Sequence, residues 1–398
     1  MSKSSSKKFC DSWYCRIIVA LIALPISFLA FVLAFNTLWC NEKHSMPRAK
    51  TLEEGEGLVT SIASIYVDSF NEGRLVHLTG EVLTDDVLRD ETFNLSFYHT
   101  IAIKLRRTAE MYQWKESSYL DYDGDIHYEH KKVWSEHSID SSRFLYKWPY
   151  ENPSMPVAGQ TWIAEMKLGE FTLSSSFVAK MTHYQRLTIT EQMFVEMPKT
   201  LYDKKSHLNK GNYYLGDNPD DPQIGDLRVK FEVVYPEAIS VVAKQTDSYL
   251  SPYQTRVAGD IELFEYGTVD AETMFLHARI DNFANKLPHR IVGFFIMFVG
   301  IYMAFLVLGR LEAFMPFLSG MVEWNRGWIS LAIVAATLSL FIIALAWVKY
   351  TPILAIIIMV IAVSLLRLLK FARQLQEVPP IELLEPMLTH ERVVPQKI

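Results

Sequence analysis

This 398-residue sequence contains few cysteines and has no net positive charge. Its three cysteines are Cys10, Cys15 and Cys40, so residues 41–290 contain no disulfide and must be stabilised by their core, while Cys40 could bridge two chains. The net charge of -6 at pH 7 argues against a dedicated nucleic-acid-binding protein, because contacts to phosphates need a clear cationic excess. We therefore predict no nucleic-acid partner.

Catalytic and metal-binding motifs are also missing, since the sequence has no H-E-x-x-H, G-x-S-x-G, Walker or C-x-x-C pattern. The nearest approach to a metal cluster is His127, Glu129, His130 and His137, but His127 and His130 would lie on opposite faces of a strand. The aspartate-rich stretch 121–125 lacks the glycine and glutamate spacing of an EF-hand loop and predicts a hairpin turn. We predict no enzymatic activity, no metal and no cofactor.

Charged side chains are absent from four long apolar runs, residues 17–35, 291–309, 327–348 and 350–366. A membrane-spanning helix needs roughly 17 to 25 such residues, so all four qualify, the last narrowly. The first run could instead be a cleaved signal peptide, but it exceeds the roughly 7 to 15 apolar residues of such a segment and no A-x-A cleavage site follows it. We prefer an uncleaved signal anchor and predict four membrane spans.

Basic residues precede the first run and follow the last, which predicts two cytosolic tails, residues 1–16 and 367–398. Four crossings return the chain to its starting side, so the span count agrees with the charges. Residues 36–290 then form one large lumenal domain. The connector 310–326 is too apolar for a free loop and is predicted to lie in the cytosolic interface as an amphipathic segment.

The lumenal domain is predicted to be β-rich, which gives the class of an α-helical multi-pass membrane protein with a large α+β lumenal domain. Residues 75–82 and 227–233 alternate apolar and polar side chains and predict half-buried strands. Frequent turn signals separate such stretches. Helices are predicted at 49–68, after the first span, and at 270–285, before the second.

The basic stretch around Lys104, Arg106 and Arg107 predicts a solvated edge strand rather than a site for nucleic acid, because the topology places it in the lumen. The alternative is a basic face that contacts a lumenal partner or anionic headgroups. The preceding motif EGRLVH has a weak echo in IGDLRV at 224–229, and a second alternating stretch follows each. Two related β modules would explain the echo. Chance similarity between strand-forming segments explains it equally well.

Two kinds of covalent modification are suggested by position. Asn94, in Asn-Leu-Ser, is the acceptor of the single usable N-glycosylation sequon, and its occupancy requires lumenal exposure. Cys10 and Cys15 lie near the cytosolic membrane face and are candidate palmitoylation sites.

Small residues are frequent in the third apolar run and predict close helix packing there. They include Ala332, Ala335, Ala336, Thr337 and Ser339, which form small-xxx-small pairs. None of the four runs contains an acidic or basic residue, which disfavours a transporter or channel. We therefore predict that the chain self-associates through its packed spans.

Several stretches together resemble the transmembrane protein 43, or LUMA, family. They are NEGRLVH, KLRR followed by EMYQW, ENPSM, LGEFTLSSSF, IGDLRV and a W-x-x-Y-x-P corner at Trp347, Tyr350 and Pro352, in one order along nearly the whole chain. The signature positions that match are Gly73, Arg74, Arg106, Arg107, Trp114, Gly225 and Asp226.

The resemblance implies a four-span protein of the endoplasmic reticulum and inner nuclear membrane, with both termini cytosolic or nucleoplasmic. It also implies self-association, lamins and emerin-like membrane proteins as partners, and no catalytic residues. On this basis the sequence predicts a non-enzymatic membrane scaffold that supports nuclear-envelope structure. The alternative is a lumenal enzyme or lipid-handling protein with its site in the β-rich domain.

Overall fold

The computed structural model describes residues 13–96, 101–257, 259–311 and 328–376. The chain forms two compact units. The helical unit comprises residues up to Glu54, Gln254–Gly259 and residues from Phe275 onward, and the β-rich unit comprises Gly55–Tyr253 and Asp260–Met274. Predictions that fall on the connector 312–326, on Cys10 and on the chain ends lie outside the described residues.

The described helices are α1 Trp13–Glu56, α2 Ser175–Lys180, α3 Glu191–Glu196, α4 Ala271–Leu311, α5 Trp328–Trp347 and α6 Pro352–Gln376, and single 3-10 turns occur at Ser69–Asn71 and Ser141–Arg143. Helices α1, α4 and α5 are long and apolar enough to cross a membrane, whereas α6 has a shorter apolar part, Pro352–Leu368. The protein is therefore a membrane protein with a β domain, and its fourth span rests on this shorter helix.

Two predicted helix boundaries need correction. The helix predicted at 49–68 is the end of α1 and stops at Glu56, where the amides of Leu58 and Val59 both bond to the carbonyl of Gly55. The helix predicted at 270–285 is continuous with the second span in α4. The apolar runs therefore indicate the membrane segments but underestimate the length of the helices, because the polar residues next to each run are also helical.

Helices α1 and α4 pack closely in the helical unit. Ser27 Oγ donates to the carbonyl of Gly300 at 2.9 Å, and a side chain at Gly300 would approach Ala30 to 3.2 Å. At Gly293 an added Cβ would lie 2.6 Å from Leu38, so a glycine is needed there for the helices to touch. The same interior holds the buried residues Ala34, Leu38, Met297, Ile301, Leu331, Ala335 and Ile342.

The small residues of α5 lie at different depths in the helical unit. Ala335, Thr337 and Ser339 are buried, whereas Ala332 and Ala336 are half-buried. The Thr337 hydroxyl donates to the carbonyl of Ile333 at 2.8 Å, so it is satisfied within its own helix. Helices α5 and α6 form a tight hairpin and pack against each other.

The β-rich unit contains β1 Thr60–Ser61, β2 Leu75–Leu83, β3 Arg89–Asp90, β4 Leu95–Ser96, β5 Lys104–Leu120, β6 Ile126–Ser135, β7 Gln160–Ile163, β8 Lys167–Leu168, β9 Phe171–Thr172, β10 Gln185–Leu187, β11 Thr200–Leu201, β12 Lys204–Asn209, β13 Asn212–Leu215, β14 Leu227–Val234, β15 Ala238–Thr246, β16 Tyr249–Ser251, β17 Tyr253–Gln254, β18 Asp260–Ile261 and β19 Leu263–Tyr266.

These strands form two main sheets. The first has the order β1-β2-β8-β9-β16-β15-β19, and a further pairing of β2 with β15 closes five of its strands into a ring. The second has the order β11-β12-β13-β14-β5-β6, with β10 on β14 and β7 on β5. Each sheet has its own core, around Phe171 and Phe177 in the first and around Phe93, Tyr213 and Phe231 in the second.

The two similar segments, which begin with EGRLVH at residue 72 and with IGDLRV at residue 224, each contribute one strand to each sheet. In the first sheet β2 pairs antiparallel with β15, and in the second β5 pairs antiparallel with β14. Each central pair therefore takes one strand from each segment. This crossed pairing is what two intertwined modules would produce.

Burial confirms one predicted strand and corrects two. Along β14 every second residue from Leu227 to Val233 is buried, as predicted. In β2 the run Leu75–Leu78 is buried throughout. It lies between β15 and β1, and the His77 side chain hydrogen-bonds Ser61 and the carbonyl of Val269. The predicted half-buried pattern is therefore wrong for β2.

The prediction of a solvated edge at Lys104 is also wrong. β5 is an inner strand between β14 and β6, and Lys104 is 3% exposed. Its ammonium donates to the carbonyls of Val178 and Met181 at the end of α2, the latter at 2.7 Å. The Val178 carbonyl also accepts from the backbone amide of Met181 at 3.2 Å, and the Lys104 ammonium adds a charged donor at this helix end, which is a favourable place for a lysine. Burial lowers the pKa of Lys104.

Candidate functional site

A buried carboxylate joins three helices of the helical unit. Glu42 on α1 is 0% exposed and accepts two hydrogen bonds from Arg290 on α4, from Nε at 2.6 Å and from Nη2 at 2.9 Å. Trp347, the last residue of α5, donates from Nε1 to Glu42 Oε2 at 2.7 Å. The Arg290 guanidinium also lies 5.8 Å from the centre of the Trp347 ring. We call these three residues the Glu42 cluster.

The Glu42 cluster is suited to holding helices together rather than to catalysis. A two-point contact between a guanidinium and a carboxylate fixes both distance and orientation, and the indole proton occupies a remaining lone pair of Glu42. Asn41 Nδ2 also donates to Glu42 Oε1 at 3.2 Å, so four donors within the protein use the acceptor positions of Glu42. Trp347 belongs to the W-x-x-Y-x-P corner of the sequence, whereas Glu42 and Arg290 were not predicted as a pair.

A second candidate surface is the hairpin formed by β5 and β6. The turn between them, residues 121–125, is the predicted hairpin turn: the amide of Asp121 bonds to the carbonyl of Asp125 and Gly124 has φ 87°. Four large side chains are exposed around it, with Tyr122 fully exposed. We call Tyr119, Leu120, Tyr122 and Ile126 the hairpin tip.

The hairpin tip is both apolar and acidic. Leu120 is 68% exposed and Ile126 60%, far above the burial that such side chains favour. Three aspartates stand in the same turn. A hydrogen bond from His127 and others from the backbone amides of residues 123 and 125 lower the pKa of Asp121, so it stays ionised.

The base of this hairpin is held firmly. Asn152 makes a reciprocal pair with the backbone of Trp114, accepting at 2.7 Å and donating at 2.9 Å, and the Trp114 ring packs edge-on against Tyr150. Tyr112 and Trp134 pack across the two strands. The signature position Trp114 therefore fixes the hairpin and not the tip itself.

A charged group on the neighbouring strand supports the same base. Glu110 on β5 pairs with Arg228 and Lys230 on β14, the latter at 2.8 Å. Burial by itself would raise the pKa of Glu110, but hydrogen bonds and charge from the two cations together outweigh it and lower the pKa. Arg228 also covers the ring of Trp134 at 4.6 Å.

The signature residue Arg107 is buried in the second sheet. It is 5% exposed and pairs with the fully buried carboxylate of Asp90 at 2.6 Å. It also donates to the carbonyl of Ala158 from two nitrogens, and its guanidinium lies between the rings of Phe93 and Trp162. Arg107 is thus a core cation whose donors are used internally.

The other basic signature residues lie nearer the surface. Arg106 pairs with Glu232 at 2.6 Å and covers the ring of Tyr184 at 3.9 Å. Arg74 covers the ring of Phe70 at 4.0 Å. Gly73 has φ 74° and donates its amide to the first sheet. These contacts are local and give no convergent site.

Gly225 and Asp226 form a tight turn before β14. Gly225 has φ 90°, and an added Cβ would lie 2.8 Å from the ring of Pro153. Asp226 is buried and accepts from the hydroxyl of Tyr214 at 2.8 Å and from Lys204 at 3.0 Å. Burial and the bond to Asp226 raise the pKa of Tyr214. This signature is therefore a structural turn anchored by a buried carboxylate.

The remaining predicted sites are dispersed. Asn94 is exposed with φ 49°, but its Nδ2 donates to the carbonyl of Glu196 at 2.8 Å, a bond that glycosylation would have to replace. Cys40 is an exposed free thiol, and Cys15 lies in α1. In the described part of the chain no three histidine, cysteine or acidic side chains are grouped to hold a metal.

Comparison with known proteins places this chain in context. A family model described as Transmembrane protein 43 matches residues 111–352. The human Transmembrane protein 43 is 30% identical over 356 residues, which cover 84% of this chain and 86% of that protein. The Drosophila melanogaster Transmembrane protein 43 homolog is 27% identical over 351 residues, covering 82% and 88%. No solved structure matches the chain.

Proposed function

The chain belongs to the transmembrane protein 43 family, and on that premise we propose that it is a non-enzymatic scaffold of the endoplasmic reticulum and inner nuclear membrane. In this role it organises protein complexes, with lamins and emerin-like membrane proteins among its partners. Lamins would be reached through the tails, residues 1–16 and 367–398, and a lumenal protein through the β-rich unit. Both termini are proposed to be cytosolic or nucleoplasmic, as the flanking basic residues predict.

The hairpin tip is the observation that carries this proposal. It presents large apolar side chains and three aspartates on a rigid base, and exposed apolar patches of this kind mark interaction surfaces. The aspartates disfavour an anionic bilayer as the occupant. We therefore assign to the hairpin tip a lumenal protein surface that has an apolar pocket with a basic rim.

The alternative, a lumenal enzyme or lipid-handling protein, would need a deep pocket in the β-rich unit. A cavity there, lined by Trp134, Tyr214, Arg228 and their neighbours, has a volume of about 200 Å³. Ligand sites for drug-sized molecules usually measure about 300 to 1,000 Å³. The cores of both sheets are filled by large side chains, so the scaffold is the better-supported role.

A photo-crosslinking amino acid at position 122 of the full-length protein tests this role in cells. We expect one discrete protein adduct, abolished by combining Leu120→Ser with Ile126→Ser. The same group at Phe70, which is 68% exposed on the same unit, is the matched control and should not give that adduct. Equal adducts from both positions, or adducts with lipid alone, would contradict the assignment.

The scaffold role has a separate readout. In cells whose own copy is replaced by the serine double variant, emerin should leave the nuclear rim and spread into the reticulum. The unmodified protein and Phe70→Ser should retain it. Normal emerin distribution, despite loss of the crosslinked adduct, would show that the hairpin tip binds a protein without organising the envelope.

A further inference from the structure

A polar cleft opens between α1 and α4 in the helical unit, next to the Glu42 cluster. Its volume is about 560 Å³. The α1 residues that line it recur every three to four positions from Asn36 to Arg48, and those of α4 do so from Asn282 to His289, so each helix contributes one face. Both faces begin where the apolar runs end.

The lining of the cleft has positive charge without a carboxylate. Arg48 and Lys286 are its basic side chains, and the imidazoles of His44 and His289 also line it. The other lining side chains are amides, hydroxyls and a thiol, which are neutral hydrogen-bonding groups. Glu42, the acid of the neighbouring Glu42 cluster, already binds Arg290 and Trp347. Such a lining favours an anion.

Lys286 is the second observation that points to a ligand. It is 9% exposed and lines the cleft, yet among the described residues no acceptor lies within hydrogen-bond or ion-pair distance of its ammonium. Its ammonium opens to the cleft, so an anion that enters can reach it, and that contact adds to the more distant attraction of Glu42. Its backbone is fixed, since Asn41 donates to the Lys286 carbonyl.

The position of Lys286 indicates where the anion comes from. Lys286 precedes the apolar run 291–309 by about five residues, which corresponds to about 7.5 Å along a helix. The polar layer on each side of a bilayer is about 5 to 7 Å thick. The Lys286 backbone is therefore placed near the outer edge of this polar layer, next to the phospholipid headgroups.

We propose that this cleft binds a phosphate oxyanion, with Lys286 as its principal charged donor, and that the source is the headgroup of an anionic phospholipid. The side-chain amide of Asn285, which lines the same cleft, provides a hydrogen bond that orients it. This site is independent of the hairpin tip, which lies in the β-rich unit.

The test uses full-length protein in nanodiscs of phosphatidylcholine, with and without phosphatidylinositol, and measures the thermal unfolding midpoint and retained lipid by native mass spectrometry. We expect phosphatidylinositol to raise the midpoint and to remain bound. Lys286→Gln should weaken this binding about tenfold or more, as loss of a charge-assisted hydrogen bond predicts. Lys349→Gln, which removes the same charge outside the cleft, is the matched control.

A further readout separates binding from folding. Because burial and the charge of Arg290 disfavour the Lys286 cation more than Glu42 favours it, the midpoint of Lys286→Gln in pure phosphatidylcholine should equal or exceed that of the unmodified protein. A lower midpoint there, or equal lipid loss in the two lysine variants, would overturn the proposal. Inorganic phosphate at matched ionic strength identifies the source: stabilisation by phosphate but not by lipid would refute the headgroup, and no response to either would refute the site.

Discussion

Replacing Glu42 by alanine should strongly destabilise the helical unit. The change removes both hydrogen bonds from Arg290 and the acceptor of Trp347, and leaves a guanidinium that is 23% exposed without its anion. Removing one partner of a buried pair costs about 3 to 5 kcal/mol. Because Arg290 keeps some access to solvent, we expect the free energy of unfolding to fall by about 3 kcal/mol, the lower end of this range.

The measurement is denaturant unfolding of the full-length protein in detergent, followed by circular dichroism. Glu53→Ala is the matched control, because Glu53 lies on the same helix and pairs with Lys50 but is 66% exposed. That exposed pair should contribute at most about 0.5 kcal/mol. A cost for Glu42→Ala no larger than that of Glu53→Ala would refute the reasoning.

A double-mutant cycle isolates the pair itself. Once Glu42 is absent, Arg290→Ala removes only a stranded cation, so the double variant should be more stable than the sum of the two single losses predicts. A coupling of about 2 kcal/mol is expected for residues in direct contact. Strict additivity would mean that the contact does not stabilise the unit and that the helices are held by apolar packing alone.

Three further changes probe the rest of the chain. Glu110→Gln should lower the free energy of unfolding by about 1 to 2 kcal/mol at neutral pH. The folded pKa of Glu110 lies below its usual 4.5, so the stability difference between the two proteins should persist above pH 4.5 and vanish as the pH falls through the folded pKa; unfolding at several pH values measures it. Gly225→Ala should cost about 1 to 3 kcal/mol in the same assay, because φ is positive there and the Pro153 ring blocks a Cβ; an unchanged midpoint would contradict this. Thr337→Leu should lower the midpoint by overpacking, about 1 to 3 kcal/mol, whereas a loss of crosslinked oligomers at unchanged stability would show that position 337 lies at an interface between chains.

The sequence predicted features that depend on neighbours along the chain. The turn at 121–125 follows from its aspartates and Gly124, and the alternation in β14 follows from strand geometry. The long apolar helices follow from composition alone. In each case the residues that cause the structure lie within one short stretch.

The wrong predictions of exposure concern side chains that are buried by residues far away in the sequence. Lys104 was predicted to be solvated because its own stretch alternates, yet the carbonyls that bury it belong to residues 178 and 181. His77 in β2 is buried for the same reason, by strands and a carbonyl far along the chain. A local period shows which side chains share a face, but not whether that face is covered.

The Glu42 cluster required three helices to be placed at once, so no local pattern reveals it. A signal was nevertheless present. Arg290 stands beside a span on the side predicted to be lumenal, against the positive-inside trend, although long translocated domains largely escape that rule. A basic residue in such a place invites a search for an acid on a neighbouring helix, and Glu42 is that acid.

Arg290 and Lys286, the two basic residues at this end of α4, differ in whether a carboxylate pairs with them. Arg290 is neutralised within the protein by Glu42, so its charge needs nothing more to be stable at the membrane surface. Lys286 is one helical turn away and comparably enclosed, but no carboxylate in the described residues pairs with it. If burial alone explained Lys286, glutamine would be tolerated there without loss of any binding. An effect of Lys286→Gln that appears only with anionic lipid would show instead that the missing counter-charge is supplied by the bilayer.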